Sequence, residues 1–125
     1  MAGKKLSAKA ARAMTVIEEG RRKSQRLHSL VEQYCAAKVG QDAIAQSISR
    51  AGVDVARVFM NAGLGVMADT ANQIAMGAKR GGHTQSKYRQ LRELAGSLAA
   101  ALDRQEKMVM EMDAMSKHDA ADEGH

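Results

Sequence analysis

Proline and tryptophan are absent from the 125 residues of this chain. Because proline breaks helix interiors and marks turns, a chain without it can form long, uninterrupted helices. Aromatic side chains are also scarce, with two Tyr and one Phe, so the core must use Ala, Leu, Ile, Val and the nine Met. Small side chains bury little area each, at roughly 25 cal/mol per Å². We therefore expect a homo-oligomer or a helical protein partner to complete the core.

Cysteine occurs once, at Cys35, which excludes an internal disulfide and favours a reducing compartment. The stretch Met1–Met14 is basic and lacks an apolar segment, so no signal peptide is predicted. The most apolar stretch, Val53–Ala68, contains Asp54 and Arg57 and is too short and polar to span a bilayer. The expected location is the cytoplasm.

Apolar or small residues recur every three, then four positions in two long blocks. The first block contains Leu6, Ala10, Ala13, Ile17, Gly20, Ser24, Leu27, Val31 and Tyr34. The last block contains Tyr88, Leu91, Ala95, Leu98, Leu102, Gln105, Val109 and Met112, and a second row of Leu94, Ala101, Met108 and Met115 widens it. This spacing is typical of helices packed along their length. The sequence predicts an all-α fold, an antiparallel bundle of three long helices.

The helix boundaries follow from capping residues and glycines. The first helix is predicted from Ser7 to about Lys38, the second from near Asp42 to Gly81-Gly82, and the third from Thr84 to about Lys117. Gly63 and Gly65 predict a break or kink, which would divide the second helix and give four. Residues 1–118 are predicted to form a single bundle domain, followed by an acidic disordered tail over residues 119–125.

The formal net charge is +5, and basic residues concentrate in the first part of the chain. Residues 1–40 carry nine Lys or Arg and three Glu, whereas residues 81–125 carry six basic and eight acidic residues. This distribution suits a polyanion, such as nucleic acid or an anionic membrane surface. The predicted DNA-binding residues are Arg21, Arg22, Lys23, Arg26, Lys79, Arg80, Lys87, Arg89 and Arg92. The second group straddles a glycine turn and should form a compact positive tip; an ordinary solvated basic face is the alternative.

Residues suited to catalysis or metal binding are present, but not in the required arrangement. Four His occur without i, i+4 spacing, and no Cys or carboxylate cluster completes a tetrahedral set. The Met residues at 108, 110, 112 and 115 resemble a Cu(I) site by composition. All but Met110 lie on the apolar stripe, where core packing is favoured. Cys35 and His28 stand about 10 Å apart along one helix, too far for a hydrogen bond. We predict no enzyme, no cofactor, no metal site and no small-molecule substrate.

Residues 65–102 resemble the C-terminal half of the MobC-type plasmid mobilisation proteins. The resemblance rests on Asn72-Gln73-Ile74-Ala75, on Gly81-Gly82 in the following turn, and on a closing amphipathic helix with Leu91 and Leu98. Thr70-Ala71 replaces the Asn-Leu of the family pattern. The resemblance implies an accessory protein of the relaxosome, which binds near a transfer origin and helps the relaxase reach its nick site. Asn72 and Gln73 would then organise helix packing rather than read bases.

These observations lead to one expected function and one alternative. The expected function is that of a non-enzymatic helical accessory protein that self-associates and binds DNA through a basic tip, as a relaxosome component would. The scarcity of aromatic residues disfavours stacking on single-stranded bases. The alternative is a helical interaction or assembly protein with no nucleic-acid role, such as a secretion-type chaperone, a filament or capsid subunit, or a granule-coating protein.

Overall fold

The computed structural model shows a helical bundle. It describes residues 6–82 and 84–123, with side chains as far as residue 115. Four helices follow in order: α1 (Ala8–Ala36), α2 (Gln41–Asn61), α3 (Gly65–Lys79) and α4 (Gln85–Glu123). No strand occurs in the described ranges. The prediction of an all-α bundle is confirmed.

The second long helix is divided at the predicted glycines, so the bundle has four helices rather than three. Gly63 has φ +76°, in the left-handed region that glycine adopts most easily. Its amide donates to the carbonyl of Met60 at 3.1 Å, and the amide of Leu64 donates to the carbonyl of Phe59 at 2.8 Å. These bonds close the turn that separates α2 from α3.

The predicted helix ends agree with the structure to within a few residues, except at the end of α4. The hydroxyl of Ser7 accepts a hydrogen bond from the amide of Ala10 at 3.1 Å and caps α1, as predicted. The helix α4 continues to Glu123, beyond the predicted Lys117. The division into a domain of residues 1–118 and a disordered tail of residues 119–125 stays a prediction; residues 124–125 lie outside the described part of the chain.

The four helices form a ring in which each packs against the next and α4 returns to α1. The diagonal pairs, α1 with α3 and α2 with α4, make no close contact in the described part. The rings of Tyr34 and Tyr88 meet edge to face at 5.3 Å at one end of the α1–α4 pair. At the other end, the amide of Ser7 donates to Asp113 at 3.4 Å. The helices α1 and α4 are therefore antiparallel.

Close approach of the helices in the core depends on two glycines. A Cβ on Gly20 would lie 2.5 Å from the ring of Phe59, which is fully buried. A Cβ on Gly52 would lie 2.9 Å from the Cβ of Ala75 and 3.0 Å from the carbonyl oxygen of Ala71. Small residues therefore bring α1 and α2, and α2 and α3, close enough to bury a core with few large side chains.

The helices differ in length, and this divides the molecule into two regions. At 1.5 Å per residue, α4 spans about 58 Å and α3 about 22 Å. Phe59, near the end of α2, lies beside Gly20 of α1, and the next residue of α1, Arg21, pairs with Asp103 and Glu106 of α4. The α2–α3 turn therefore lies level with residues 103–106 of α4 and does not extend further along it. Beyond it, residues 8–16 of α1 and 107–115 of α4 form a two-helix arm. The remaining helical residues before position 107 form a four-helix body.

The prediction that Met108, Met112 and Met115 pack in a core is wrong. Their side chains are 51%, 60% and 66% exposed. Met108 and Met115 continue the row of Leu94 and Ala101, and Met112 continues the row of Leu98 and Leu102. These four earlier residues do pack in the core. The difference arises because α3 begins at Gly65, after the α2–α3 turn, and this turn does not extend as far along α4 as the methionines.

Among residues 6–82 and 84–123, no helix combines the length and the apolar character needed to cross a membrane.

Candidate nucleic-acid interface

Two grooves run along either side of α2, and basic side chains line both. The groove between α1 and α2 has a volume of about 610 Å³ and is lined by Arg22, Lys23, Arg26 and Arg50. The groove on the other side has a volume of about 750 Å³ and lies between α2 and the end of α3. Its basic lining residues are Arg50, Arg57, Lys79, Arg80 and Lys87. Arg50 lines both grooves, so the two form one continuous surface.

Six cations on this surface are solvent-exposed, and we call them together the basic face. They are Arg22, Arg26, Arg50, Arg57, Lys79 and Arg80. None of the six forms an ion pair with another residue in the described part of the chain. Long exposed side chains without fixed partners can reorient toward an incoming anion with little loss of existing contacts. The basic face therefore presents available positive charge.

Three acidic residues lie on or beside this surface and limit the local charge, and one of them, Asp54, lines both grooves as Arg50 does. The carboxylate of Asp54 accepts a hydrogen bond from the ammonium of Lys23 at 2.8 Å. Glu19 stands 3.8 Å from the same ammonium. Asp42 lines the groove between α2 and α3. Lys23 is thus largely neutralised, and the balance of the basic face comes from its arginines and from Lys79.

Arg21 and Arg92, both predicted to bind DNA, lie instead along the contact between α1 and α4. The guanidinium of Arg21 donates to Asp103 at 2.8 Å and to Glu106 at 3.1 Å. The hydrogen bond to Asp103 raises the pKa of Arg21. Arg92 lies 3.3 Å from Glu32. Both arginines bridge helices of the bundle.

Lys87 occupies a position that the sequence did not indicate, because it is buried rather than displayed at a positive tip. Its ammonium donates to the carbonyl oxygen of Arg80, and to that of Gly82 at 3.1 Å. It also lies 5.4 Å from the centre of the Tyr34 ring. Burial lowers the pKa of Lys87. The buried side chain thus holds the turn between α3 and α4 through hydrogen bonds to its carbonyl oxygens.

The predicted residues therefore fall into two sets. The structure brings Arg22, Lys23, Arg26, Lys79 and Arg80 together around α2. It places Arg21, Lys87 and Arg92 in contacts within the bundle, and Arg89 is exposed on α4 outside both grooves.

Arg50 lies between the basic cluster of α1 (Arg22, Lys23 and Arg26) and the one at the end of α3 (Lys79 and Arg80), and Arg57 lines the larger groove; the predictions missed both arginines. They are seven residues apart and so share one face of α2. That spacing was a usable signal, although nothing in the sequence placed the two clusters beside it.

The residues of the mobilisation-type resemblance lie on α3 and in the turn that follows. Asn72 is half-buried and Gln73 is exposed, whereas Ile74 and Ala75 are buried in the core. Gly82 has φ +84° and lets the chain turn toward α4. The Gly81-Gly82 pair is exposed at the edge of the larger groove.

Cys35 and the histidines show no arrangement suited to catalysis or metal binding in the described residues. Burial raises the pKa of the Cys35 thiol, which disfavours the nucleophilic thiolate. His28 lies 3.8 Å from Glu32 on its own helix. No group of three or more His, Cys, Asp or Glu stands close enough to hold a metal ion in that part of the chain. His83 and His125 lie outside the described residues, as does the side chain of His118.

Comparison with known proteins leaves these observations to stand alone: no family model, curated protein or solved structure matches the chain.

Proposed function

We propose that this protein is a non-enzymatic accessory protein that binds the phosphate backbone of double-stranded DNA through its basic face. The observation that carries the proposal is the position of Arg50, which lines both grooves beside α2 and joins two clusters distant in sequence. Point charges and guanidinium forks on an exposed surface are what phosphate contacts require. Contacts to phosphate hold DNA without reading its sequence.

Duplex DNA is favoured over single strands because the aromatic side chains are inside the bundle. Tyr34 and Phe59 are fully buried, and Tyr88 is half-buried against Tyr34. Proteins that bind single strands without sequence preference stack bases on exposed aromatic rings. The basic face has none.

The test is the salt dependence of duplex binding, measured by fluorescence anisotropy with a labelled duplex. If all six cations of the basic face neutralise phosphates, log affinity falls with log salt with a slope of about −5, at roughly −0.9 per phosphate. Arg50→Gln and Arg57→Gln should each flatten the slope by about one. Absence of duplex binding at about 50 mM salt would contradict the proposal.

The matched control is Arg92→Gln, which removes an arginine already paired with Glu32. It should change the slope far less than Arg50→Gln does. Arg89→Gln provides a second comparison, because Arg89 is exposed but lies outside both grooves. If Arg89→Gln abolished binding while Arg50→Gln left it unchanged, the interface would lie on α4 and not beside α2.

The MobC-type resemblance supports a more specific version of this proposal, in which the duplex lies near a transfer origin and the partner is a relaxase. Asn72 and Gln73 lie on α3 and do not line the larger groove. We expect a relaxase gene beside the gene for this chain. We also expect the purified protein to retain that relaxase on DNA. Neighbouring secretion or virion genes would favour the assembly alternative.

A further inference from the structure

The turn between α3 and α4 carries one cation of the basic face next to two glycines. Arg80 is the C-terminal capping residue of α3 and lines the larger groove. Gly81 and Gly82 follow it, both exposed, and a Cβ built on either would meet no atom within 4 Å. Glycine loses more conformational freedom on folding than any other residue. A turn with two such glycines needs outside contacts if Arg80 is to keep one position.

Lys87 supplies these contacts from the body of the bundle. Its ammonium donates hydrogen bonds to the carbonyl oxygen of Arg80 and, at 3.1 Å, to that of Gly82. The two bonds therefore span both glycines of the turn. The side chain of Lys87 is 8% exposed, and its ammonium lies 5.4 Å from the centre of the Tyr34 ring. With these partners, the ammonium is committed to the turn and not free to meet a phosphate.

The first turn of α4, which carries Lys87, is itself fixed to the neighbouring helices. The hydroxyl of Thr84 accepts a hydrogen bond from the amide of Lys87 at 3.1 Å and caps the start of α4. The hydroxyl of Tyr88 accepts a hydrogen bond from Gln41 of α2 at 2.9 Å. The ring of Tyr88 also meets that of Tyr34 of α1 edge to face. Three helices thus give the side chain of Lys87 a fixed base.

We propose that Lys87 is a positioning residue for phosphate binding, which touches no phosphate itself and holds Arg80 in place at the larger groove. This inference rests on the DNA binding proposed for the basic face. The hydrogen bonds fix the backbone of Arg80 before a duplex arrives, so less freedom is lost on binding. The ammonium also offsets the partial negative charge of carbonyl oxygens at the end of α3, which would otherwise oppose a phosphate.

Two other cations of the basic face do not depend on Lys87 and serve as matched controls. Lys79 is the last residue of α3, and the preceding Ala78 is 3% exposed in the core. The packing of α3 therefore holds Lys79 without help from the turn. Arg22 lies on α1 and lines the smaller groove.

The test is a double-mutant cycle on the salt dependence of duplex binding, measured with the full chain. Arg80→Gln in the native chain should flatten the slope of log affinity against log salt by about one. Lys87→Met should have a similar effect, since it keeps an apolar stem beside Tyr34 but removes the donor and the charge. In the Lys87→Met background, Arg80→Gln should change the slope by less than about half as much, because Arg80 has already lost its position.

The controls separate this role from the two alternatives. Lys79→Gln and Arg22→Gln should each flatten the slope by about one, with Lys87 present or replaced by Met. A full effect of Arg80→Gln in the Lys87→Met background would overturn the proposal, because two independent phosphate contacts add. Loss of the control effects in that background would also overturn it, since Lys87 would then support the whole bundle. So would a native chain whose slope Arg80→Gln leaves unchanged.

A measurement on the native chain gives an answer even if Lys87→Met does not fold. In nuclear magnetic resonance spectra of isotope-labelled lysine ammonium groups, Lys87 should exchange slowly with water, because its ammonium is buried and hydrogen-bonded. Addition of the duplex should shift the signal of Lys79 and leave that of Lys87 in place. A Lys87 signal that exchanges as fast as that of Lys79, or shifts as far with DNA, would overturn the proposal.

The two proposals fail in different ways. Absence of duplex binding by the native chain contradicts the function proposed for the basic face. Duplex binding in which the effects of Lys87→Met and Arg80→Gln add leaves that function standing and overturns the role of Lys87 alone.

Discussion

In the body, α1 and α4 each have two helical neighbours, whereas in the arm each has only the other. The consequence is visible along α4 alone. Leu94 and Ala101 pack against the core, whereas Met108 and Met115, which follow them at the same seven-residue spacing, are more than half exposed. All four positions belong to the same apolar pattern. The comparison shows that a heptad pattern marks residues able to be buried, and that the lengths of neighbouring helices decide which of them are.

The largest expected difference between buried and exposed positions is at neighbouring residues of α2. Phe59→Ala should lower the free energy of unfolding by about 3–5 kcal/mol, because it leaves a cavity between α1 and α2. Urea unfolding at low protein concentration measures the change. Met60→Ala is the control, since Met60 is 55% exposed, and it should change stability by less than about 0.5 kcal/mol. Equal effects would show that the ring of Phe59 is not packed as described.

Glycine to alanine substitutions should have opposite signs at two helical sites. Gly52→Ala should destabilise the protein by about 1–2 kcal/mol, because the new Cβ would overlap backbone and Cβ atoms of α3. Gly96→Ala, on the open side of α4, should stabilise it by about 0.5–1 kcal/mol, since no atom lies within 4 Å of the new Cβ. Thermal unfolding of both variants measures the two changes in stability. A gain in stability at both sites would contradict the close contact of α2 with α3.

The two ion pairs of Arg21 lie at the boundary between the body and the arm, and their contribution to the free energy of unfolding is small. Arg21→Ala should cost about 0.2–1 kcal/mol at low salt, because the partners Asp103 and Glu106 are substantially solvated. The cost should shrink as salt is added. Arg22→Ala, at the adjacent exposed position, should show no such dependence. Denaturant unfolding at two salt concentrations separates the two residues.

The smallest effect is expected in the arm. Met112→Ala should change the unfolding free energy of the monomer by less than about 0.5 kcal/mol, because the side chain is already in water. Leu102→Ala, ten residues earlier, should cost about 2–5 kcal/mol. Unfolding at a concentration below that of self-association gives both values. A large loss for Met112→Ala would mean that the arm is covered within one chain.

The architecture of the bundle was predictable because it depends on local signals. The absence of proline, the spacing of residues such as Leu27 and Leu98, and the capping hydroxyl of Ser7 all act within one or two helical turns. The break at Gly63 was predictable for the same reason. The burial of the methionines was not, because it depends on how far a separate helix, α3, extends beside α4.

The basic face was predictable only in part. Clusters such as Arg22 with Arg26 are visible as charge density along the chain. Arg50 occurs singly, and only the ring order of the helices places it between the clusters. Lys87 lies in a basic run of the sequence, and nothing in that run indicates that its side chain is buried. The burial depends on hydrogen bonds to carbonyl oxygens of the preceding turn.

The pairing of α1 with α4 has a consequence for the order of folding. It brings together residues as far apart as Ser7 and Asp113, 106 positions along the chain, whereas every other packed pair joins helices adjacent in sequence. The local hairpin of α2 and α3 closes a short loop and can form early, but the ring closes only after most of the chain has left the ribosome. Until then one side of α1 has no partner. The buried side of α1 includes the small residues Ala10, Gly20 and Ser24, which limit the apolar area that the nascent chain exposes until then.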